Sequence, residues 1–301
     1  MKQFSQCGLL LAAAAISVAG CNKPATSQNG GSPGSPATPA AGITVKGSDT
    51  MVNLGQAWAE EFQKTPGNPA VSVQGGGSGT GVAALLNKST SIAEMSRAMK
   101  PEEISSAKAK GITAVETIVA RDGLSVIVNK DNPVEKLSIP QLSQIFQGKY
   151  SNWKQVGGPD LPITLQSRDK SSGSFDFFLN HVLRHGNDKG PEQYAAFARL
   201  QPSSQSIVKE VENNKGAIGY VGLGYVKGAK IKDLAVSKTD AGPFVKPTVD
   251  TVLGGTYPIA RPLYFYTDGQ PAGDVKKYVD FVLSPAGQAV VTSMDFVPVK
   301  K

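Results

Sequence analysis

Three stretches of this chain could hold a small anion, and they share one design. Each is a short Gly/Ser/Thr loop that runs into a helical apolar pattern. The first is Gly47-Ser48-Asp49-Thr50, followed by Met51, Leu54, Trp58 and Phe62. The second is Gly75-Gly76-Gly77-Ser78-Gly79-Thr80-Gly81, followed by Val82, Leu85 and Leu86. The third is Arg168-Asp169-Lys170-Ser171-Ser172-Gly173-Ser174, followed by Phe175, Phe178, Leu179, Val182 and Leu183. Spacings of three and four place the apolar residues on one helix face, so each loop lies at a helix N-terminus. Such an end carries unpaired N–H groups and the positive pole of the helix dipole. Glycine lets a ligand approach the backbone, and the hydroxyls add donors. Ser, Thr, Asp and Gly are also ordinary N-caps. Three such loops in one chain, one with an arginine, nevertheless point to donors converging on a single oxyanion. Arg168 is the natural charged partner, because a guanidinium fork matches two oxygens of phosphate or sulfate.

Other chemistries fit less well. The loop at 75–81 lacks the Gly-Lys-Ser/Thr ending of a Walker A loop, and Thr80 stands where G-x-G-x-x-G needs its third glycine. A nucleotide cofactor is therefore disfavoured and no cofactor is expected. His181 and His185 are four apart on an expected helix, but no H-E-x-x-H glutamate or third ligand accompanies them, so no metal is expected. They read as a solvated helix face. No nucleophile elbow is present, so no catalytic residue is assigned. Trp58 and Trp153 read as packing residues.

Residues 43 onward must position the loops, and they alternate strand-like and helix-like segments. Strands are expected at 43–45, 70–73, 92–96, 112–119, 124–128, 162–165, 217–220 and 257–266. Helices are expected at 51–63, 82–88, from 101, and at 140–146, 175–184, 191–200, 207–213 and 275–283. This alternation implies α/β layers, with two crossovers between lobes near 119–126 and 257–264.

The N-terminus bears on the compartment. Lys2, the apolar run Leu9 to Ala15, and Ser17-Val18-Ala19-Gly20 before Cys21 have the layout of a secretory signal, and small residues before Cys resemble a bacterial lipobox. The apolar run is too short to span a bilayer. Residues 1–20 are read as a lipoprotein signal peptide. Cys21 is read as the lipidated residue, and 21–42 as the anchor with a flexible Pro/Gly/Ser/Ala tether. Only two cysteines exist, Cys7 and Cys21, so the body has no disulfide and no thiolate site. The net charge is +7, or +6 once Lys2 leaves with the signal. The lysines are scattered, which argues against nucleic acid.

Taken together, these residues resemble the phosphate-binding component of bacterial phosphate ABC importers, a type II periplasmic binding protein family. The matching segments are G-S-D-T-M at 47–51, Q-G-G-G-S-G-T-G-V at 74–82 and S-R-A-M-K at 96–100. R-D-G-L-S-V-I-V-N at 121–129, L-S-I-P-Q-L-S-Q-I-F-Q-G at 137–148 and N-W at 152–153 also match, as do R-D-K-S-S-G-S at 168–174 and G-A-I-G-Y at 216–220. They follow the family's order across nearly the whole body. The resemblance implies two lobes, 43–120 plus 262–301 and 121–261, with the ligand in the cleft between them. It implies that Ser48, Asp49, Thr50 and Met51 of the first loop, Ser78 of the second, Ser96 and Arg97, and Arg168, Ser172, Gly173 and Ser174 surround phosphate. Two departures stand out. Many members carry an Asp where this chain has Ser96-Arg97, although one branch shares the S-R pattern. Asp49 is then either the acceptor for the proton of hydrogen phosphate or an N-cap. Lys170 replaces an acid that orients the arginine, a role open to Asp169.

The implied protein is a monomeric, lipid-anchored receptor of the periplasm or cell surface. It would capture inorganic phosphate and deliver it to ABC permease subunits. Alternatives are a receptor for sulfate, tungstate or vanadate, a secreted phosphate-handling enzyme, and an adhesin on the same fold.

Overall fold

The structure, a computed structural model, describes residues 42–299. The signal-like segment, Cys21 and the tether up to residue 41 lie outside the described residues. So do the last two positions.

Strand β1 (Ile43–Gly47) ends in the first loop, where residues 49–51 make one 3-10 turn before α1 (Val52–Gln63). Then follow β2 (Val71–Gln74), α2 (Ser78–Leu86), β3 (Ile92–Met95), α3 (Pro101–Ala109) and β4 (Ala114–Asn129). After these come β5 (Lys136–Ser138), α4 (Ile139–Phe146), β6 (Thr164–Arg168), α5 (Gly173–Phe178), β7 (Arg199–Gln201) and α6 (Ser204–Asn213). The chain continues through β8 (Ala217–Gly222), β9 (Ile231–Asp233), β10 (Ala235–Ser237), α7 (Val249–Leu253), β11 (Ala260–Asp268), α8 (Gly273–Leu283) and α9 (Pro285–Ser293). Eight strands lie in the order β2-β1-β3-β11-β4-β8-β6-β7, and β9 pairs with β4. β5 and β10 form a separate parallel pair.

One strand carries most of the architecture. β4 runs antiparallel to β11 from Ala114 to Gly123, and antiparallel to β8 from Leu124 to Val128. Its first half therefore belongs to one end of the sheet and its second half to the other. β11 supplies the second crossing and has a register shift at Leu263/Tyr264. The apolar cores follow this division. Leu54, Trp58, Phe62, Leu263, Phe265, Tyr278 and Phe296 form one cluster, and Val82, Leu85, Met95, Met99 and Tyr266 another. Beyond the crossing, Leu142, Phe146, Trp153, Phe178, Leu183 and Tyr220 form a third, and Ile207, Val208 and Val211 a fourth. Both tryptophans are fully buried in these cores, and their indole N–H groups donate to Gly287 O (2.8 Å) and Gly216 O (3.0 Å), which satisfies the polar edge of each ring.

Several boundaries differ from the sequence reading. The segments at 112–119 and 124–128 are one continuous strand, because Arg121 and Asp122 remain in register with Pro262 and Arg261. Residues 191–198 form no helix; the segment is irregular, with a turn closed by Ala198 N–H to Ala195 O (2.9 Å), and leads into β7. The helix expected at 175–184 is α5 followed by a π turn, Leu179–Leu183. α2 begins at Ser78, inside the glycine-rich loop. The short α7 and the C-terminal α9 are additional. No helix among the described residues is long and apolar enough to cross a membrane.

The first core contains one group out of character. Glu94, in the middle of β3, is completely buried, and neither carboxylate oxygen has a hydrogen-bond partner in the protein. Gly55 of α1 makes room for it: a Cβ there would lie 3.0 Å from Glu94 Oε2. Burial, reinforced by the nearby Asp49 carboxylate, raises the Glu94 pKa to about 8. The acid is thus held neutral near pH 7. The unfolded chain releases this proton near 4.5, so the folded state binds more protons between 4.5 and 8, and stability falls as pH rises through that window. Glu94→Gln keeps the neutral shape and removes the slope. Urea unfolding should show the variant gaining on the parent from pH 5 to pH 8, by on the order of a few kcal/mol. Parallel stability curves would show that Glu94 does not titrate in this way.

Candidate functional site

The three loops meet where β4 and β11 cross. Thr50 Oγ1 lies 2.9 Å from Ser174 Oγ, joining the first loop to the third. Ser78 Oγ, at the start of α2, accepts the Ser96 N–H at 3.0 Å. Gly173, at the start of α5, is pressed against both: a Cβ there would lie 2.3 Å from Ser78 Oγ and 2.7 Å from Ser96 Oγ. Only glycine lets that helix start approach so closely. On the outer side, Gly79 N–H donates to Ser171 O (2.9 Å) and Ser171 Oγ to Gly76 O (2.9 Å). Gly77 has φ +104°, and a Cβ there would lie 2.6 Å from Ser171 O, so conformation and space both demand glycine. Ser172 caps α5 by accepting the Ser174 N–H at 3.2 Å. Thr50, Ser78, Ser96, Ser172 and Ser174 are all buried. Ser48 is buried too, and its hydroxyl has no partner within the protein.

Two guanidiniums approach this cluster, each paired with a carboxylate. Arg168, 1% exposed, lies at the end of β6 with Nη1 2.9 Å from Asp49 Oδ1. It also donates from Nη1 to Ser204 Oγ (3.1 Å), from Nη2 to Pro202 O (3.0 Å) and from Nε to Gln201 O (3.3 Å). Arg261 comes from β11. Its Nε and Nη2 donate to Asp122 Oδ2 at 3.1 and 2.9 Å, Nη2 also reaches Ser174 Oγ at 2.9 Å, and Nη1 donates to Ser96 O at 3.0 Å. Asp122, fully buried on β4, accepts the Leu223 N–H through Oδ1 at 3.0 Å. Burial lowers the Arg261 pKa against the pull of Asp122, and the positive charge of Arg168 lowers it further. The two guanidiniums thus lie within range of each other in a buried seam, each balanced by its own carboxylate.

Several site residues differ in role from the sequence reading. Asp49 does not cap its own helix. Oδ1 accepts the Ser204 N–H (2.8 Å) and hydroxyl (2.9 Å), so it caps the start of α6 and pairs with Arg168. Its backbone carbonyl accepts the Tyr225 hydroxyl at 2.8 Å. Asp169 does not orient Arg168; Oδ1 accepts the N–H and hydroxyl of Ser171 and shapes its own loop. Arg97 does not reach the cluster. Nη1 and Nη2 fork onto Glu103 at 2.7 Å each, and Nε donates to Asp176 at 2.9 Å. The Met51 side chain is buried in the first apolar core. His181 is partly buried rather than solvated: it stacks on Phe177 at 5.1 Å and lies 2.7 Å from Pro258 O. Among the described residues no group of three or more His, Cys, Asp or Glu is arranged to hold a metal ion.

Arg261, Asp122, Ser204 and Tyr225 were not singled out from sequence. A signal for Arg261 exists: a charge stands near the start of an otherwise largely apolar strand, and an ion inside a buried strand requires a partner, whereas Asp122 follows Arg121 in a strand that also carries Glu116 and does not stand out.

The chain is similar to known proteins over most of its length. Residues 31–286 match the model of the PBP superfamily domain. Protein SphX of Synechococcus elongatus is 35% identical over 267 residues, covering 85% of this chain and 77% of that protein. The phosphate-binding protein PstS of Pseudomonas aeruginosa is 32% identical, covering 84% and 81%. Among solved structures, a putative phosphate ABC transporter substrate-binding protein from Clostridium perfringens, with bound phosphate, superposes with a TM-score of 0.76 at 29% identity. That match covers 86% of this chain and 100% of the other. An ABC-type phosphate transport receptor from Vibrio cholerae gives a TM-score of 0.67 at 28% identity. The chain belongs to the PBP superfamily and, within it, to the family of the PstS phosphate-binding proteins.

Proposed function

We propose that this chain captures inorganic phosphate between two lobes, residues 43–120 plus 262–301 and residues 121–261, and delivers it to the permease of an ABC importer. The observation that carries this reading is the meeting of three helix-start loops, drawn from both sides of the β4/β11 crossing, beside two buried guanidiniums. The anion would rest among Ser48, Thr50, Ser78, Ser96, Ser172, Gly173 and Ser174, with Arg168 and Arg261 neutralising it and no bond made or broken. The relatives' printed names, phosphate-binding proteins and ABC transporter receptors, support the same ligand and partner. The lipobox-like run ending at Cys21 supports attachment to a membrane surface.

The carboxylates favour phosphate over sulfate. Hydrogen phosphate can donate its proton to an acceptor, whereas sulfate near neutral pH has none to give, and an unmatched buried acceptor costs roughly 1–3 kcal/mol. Asp49 already accepts two hydrogen bonds and an ion pair through Oδ1. Asp122 is engaged as well, accepting from Arg261 and from Leu223 N–H, and we assign it the acceptor role on position alone: a Cβ at Gly222 would lie 3.2 Å from Asp122 Oδ1 and 2.9 Å from Thr50 Cγ2, so carboxylate and first loop flank one spot.

Arg168→Ala should weaken phosphate binding by about 30- to 3,000-fold, equivalent to roughly 2–5 kcal/mol, in a protein that still unfolds cooperatively. Unchanged calorimetric affinity would remove Arg168 from the site. Asp122→Asn should lower the phosphate-to-sulfate preference about tenfold or more, while Asp49→Asn should weaken both anions alike. Competition titrations that show the ratio moving with Asp49 instead would reverse the assignment. Cys21→Ser should release the protein from the membrane fraction with ligand affinity intact; a variant still firmly in the pellet would argue against the anchor.

A further inference from the structure

Arg97 is the most heavily engaged charge outside the anion cluster, and its partners come from both sides of the seam. It follows Ser96, whose carbonyl holds Arg261. Two of its nitrogens fork onto Glu103 of α3, and Lys100 N–H donates to the same carboxylate at 2.8 Å. The remaining Nε crosses to Asp176 at 2.9 Å, and Lys100 Nζ reaches the same Asp176 oxygen at 2.9 Å. Asp176 lies in the first turn of α5, two residues after Ser174, and that helix packs its Phe175 and Phe178 into the core beyond the crossing. Met99 and Ala107 anchor the other partners in the core before it. The side chains of Arg97, Asp176 and Glu103 are 9%, 15% and 18% exposed, dry enough for the pair to resist screening by salt. The fork on Glu103 fixes the Arg97 plane, so Nε has one direction in which to donate. The negative charge also lies at the positive end of α5.

We infer that Asp176, gripped by Arg97 and Lys100, is a latch that holds the third anion loop against the end of β3 and thereby sets how fast a captured anion leaves. This rests on the reading of the cluster as the phosphate site. Asp176 touches no ligand; it acts by positioning Ser172, Gly173 and Ser174. Loss of one partner of a buried charge pair speeds dissociation more than it slows encounter. Arg97 therefore serves retention rather than anion contact.

The test loads the protein with ³²P-labelled inorganic phosphate and follows release after an unlabelled chase, with association measured separately. Asp176→Asn, which keeps the side-chain shape, should release phosphate about tenfold faster or more, with association within about threefold of the parent. Lys100→Met should give a smaller change in the same direction, because Lys100 is the more exposed partner. Normal binding by the parent with unchanged release from Asp176→Asn overturns the latch alone, as does an equal fall in both rates. Failure of the parent to bind labelled phosphate overturns the ligand reading and the latch with it.

Discussion

The constraint on which the rest of the molecule depends is the burial of two arginines at a seam between separate apolar cores. A buried guanidinium must have a carboxylate and enough acceptors, or the fold pays several kcal/mol for it. Arg168 and Arg261 solve this differently. Arg261 pairs within the crossing itself, strand to strand, with Asp122 directly opposite in the β4/β11 register. Arg168 pairs across the seam, with Asp49 from the first loop. One pair lies within the sheet, and the other joins the first loop to the end of β6.

The crossing strands place Arg261 opposite Asp122. Contacts that span the seam include Asp49 with Arg168 and Ser204, Thr50 with Ser174, Ser171 with the 75–79 loop, and Arg97 with Asp176. All are polar, and many lie at helix starts. The glycines at 77 and 173 permit the approach, because any side chain at either position would strike the opposite loop.

The sequence disclosed the frame and the three loops, because both rest on local rules. Periodicity of three and four marked α1, α4 and α8, and loop composition marked the helix starts. What it hid was nonlocal. Asp49 looks like a cap of its own helix, and only the packing of α6 shows that it caps Ser204 instead. Arg97 belongs to a family motif, yet Glu103 and Asp176, 6 and 79 positions away, decide where its guanidinium goes. The segment at 191–198 carries a helical apolar spacing, but Tyr194 is drawn into an aromatic cluster with Phe146, Phe175 and Tyr220, and the chain reaches β7 through an irregular turn. Glu94 carries the same signal as Arg261, one charge in an apolar strand, but no local rule shows that it is buried without a partner.

The most direct test of the central claim, that the two sides share one tetrahedral oxyanion, is to locate such an anion in a crystal. Arsenate has the shape and protonation chemistry of phosphate and scatters anomalously. A crystal of the protein grown with arsenate should show one strong anomalous peak within hydrogen-bond reach of Ser78 Oγ, Thr50 Oγ1 and the loop at 172–174, beside Arg168 and Arg261. A peak elsewhere on the molecule, with this cluster empty at saturating arsenate, would contradict the account.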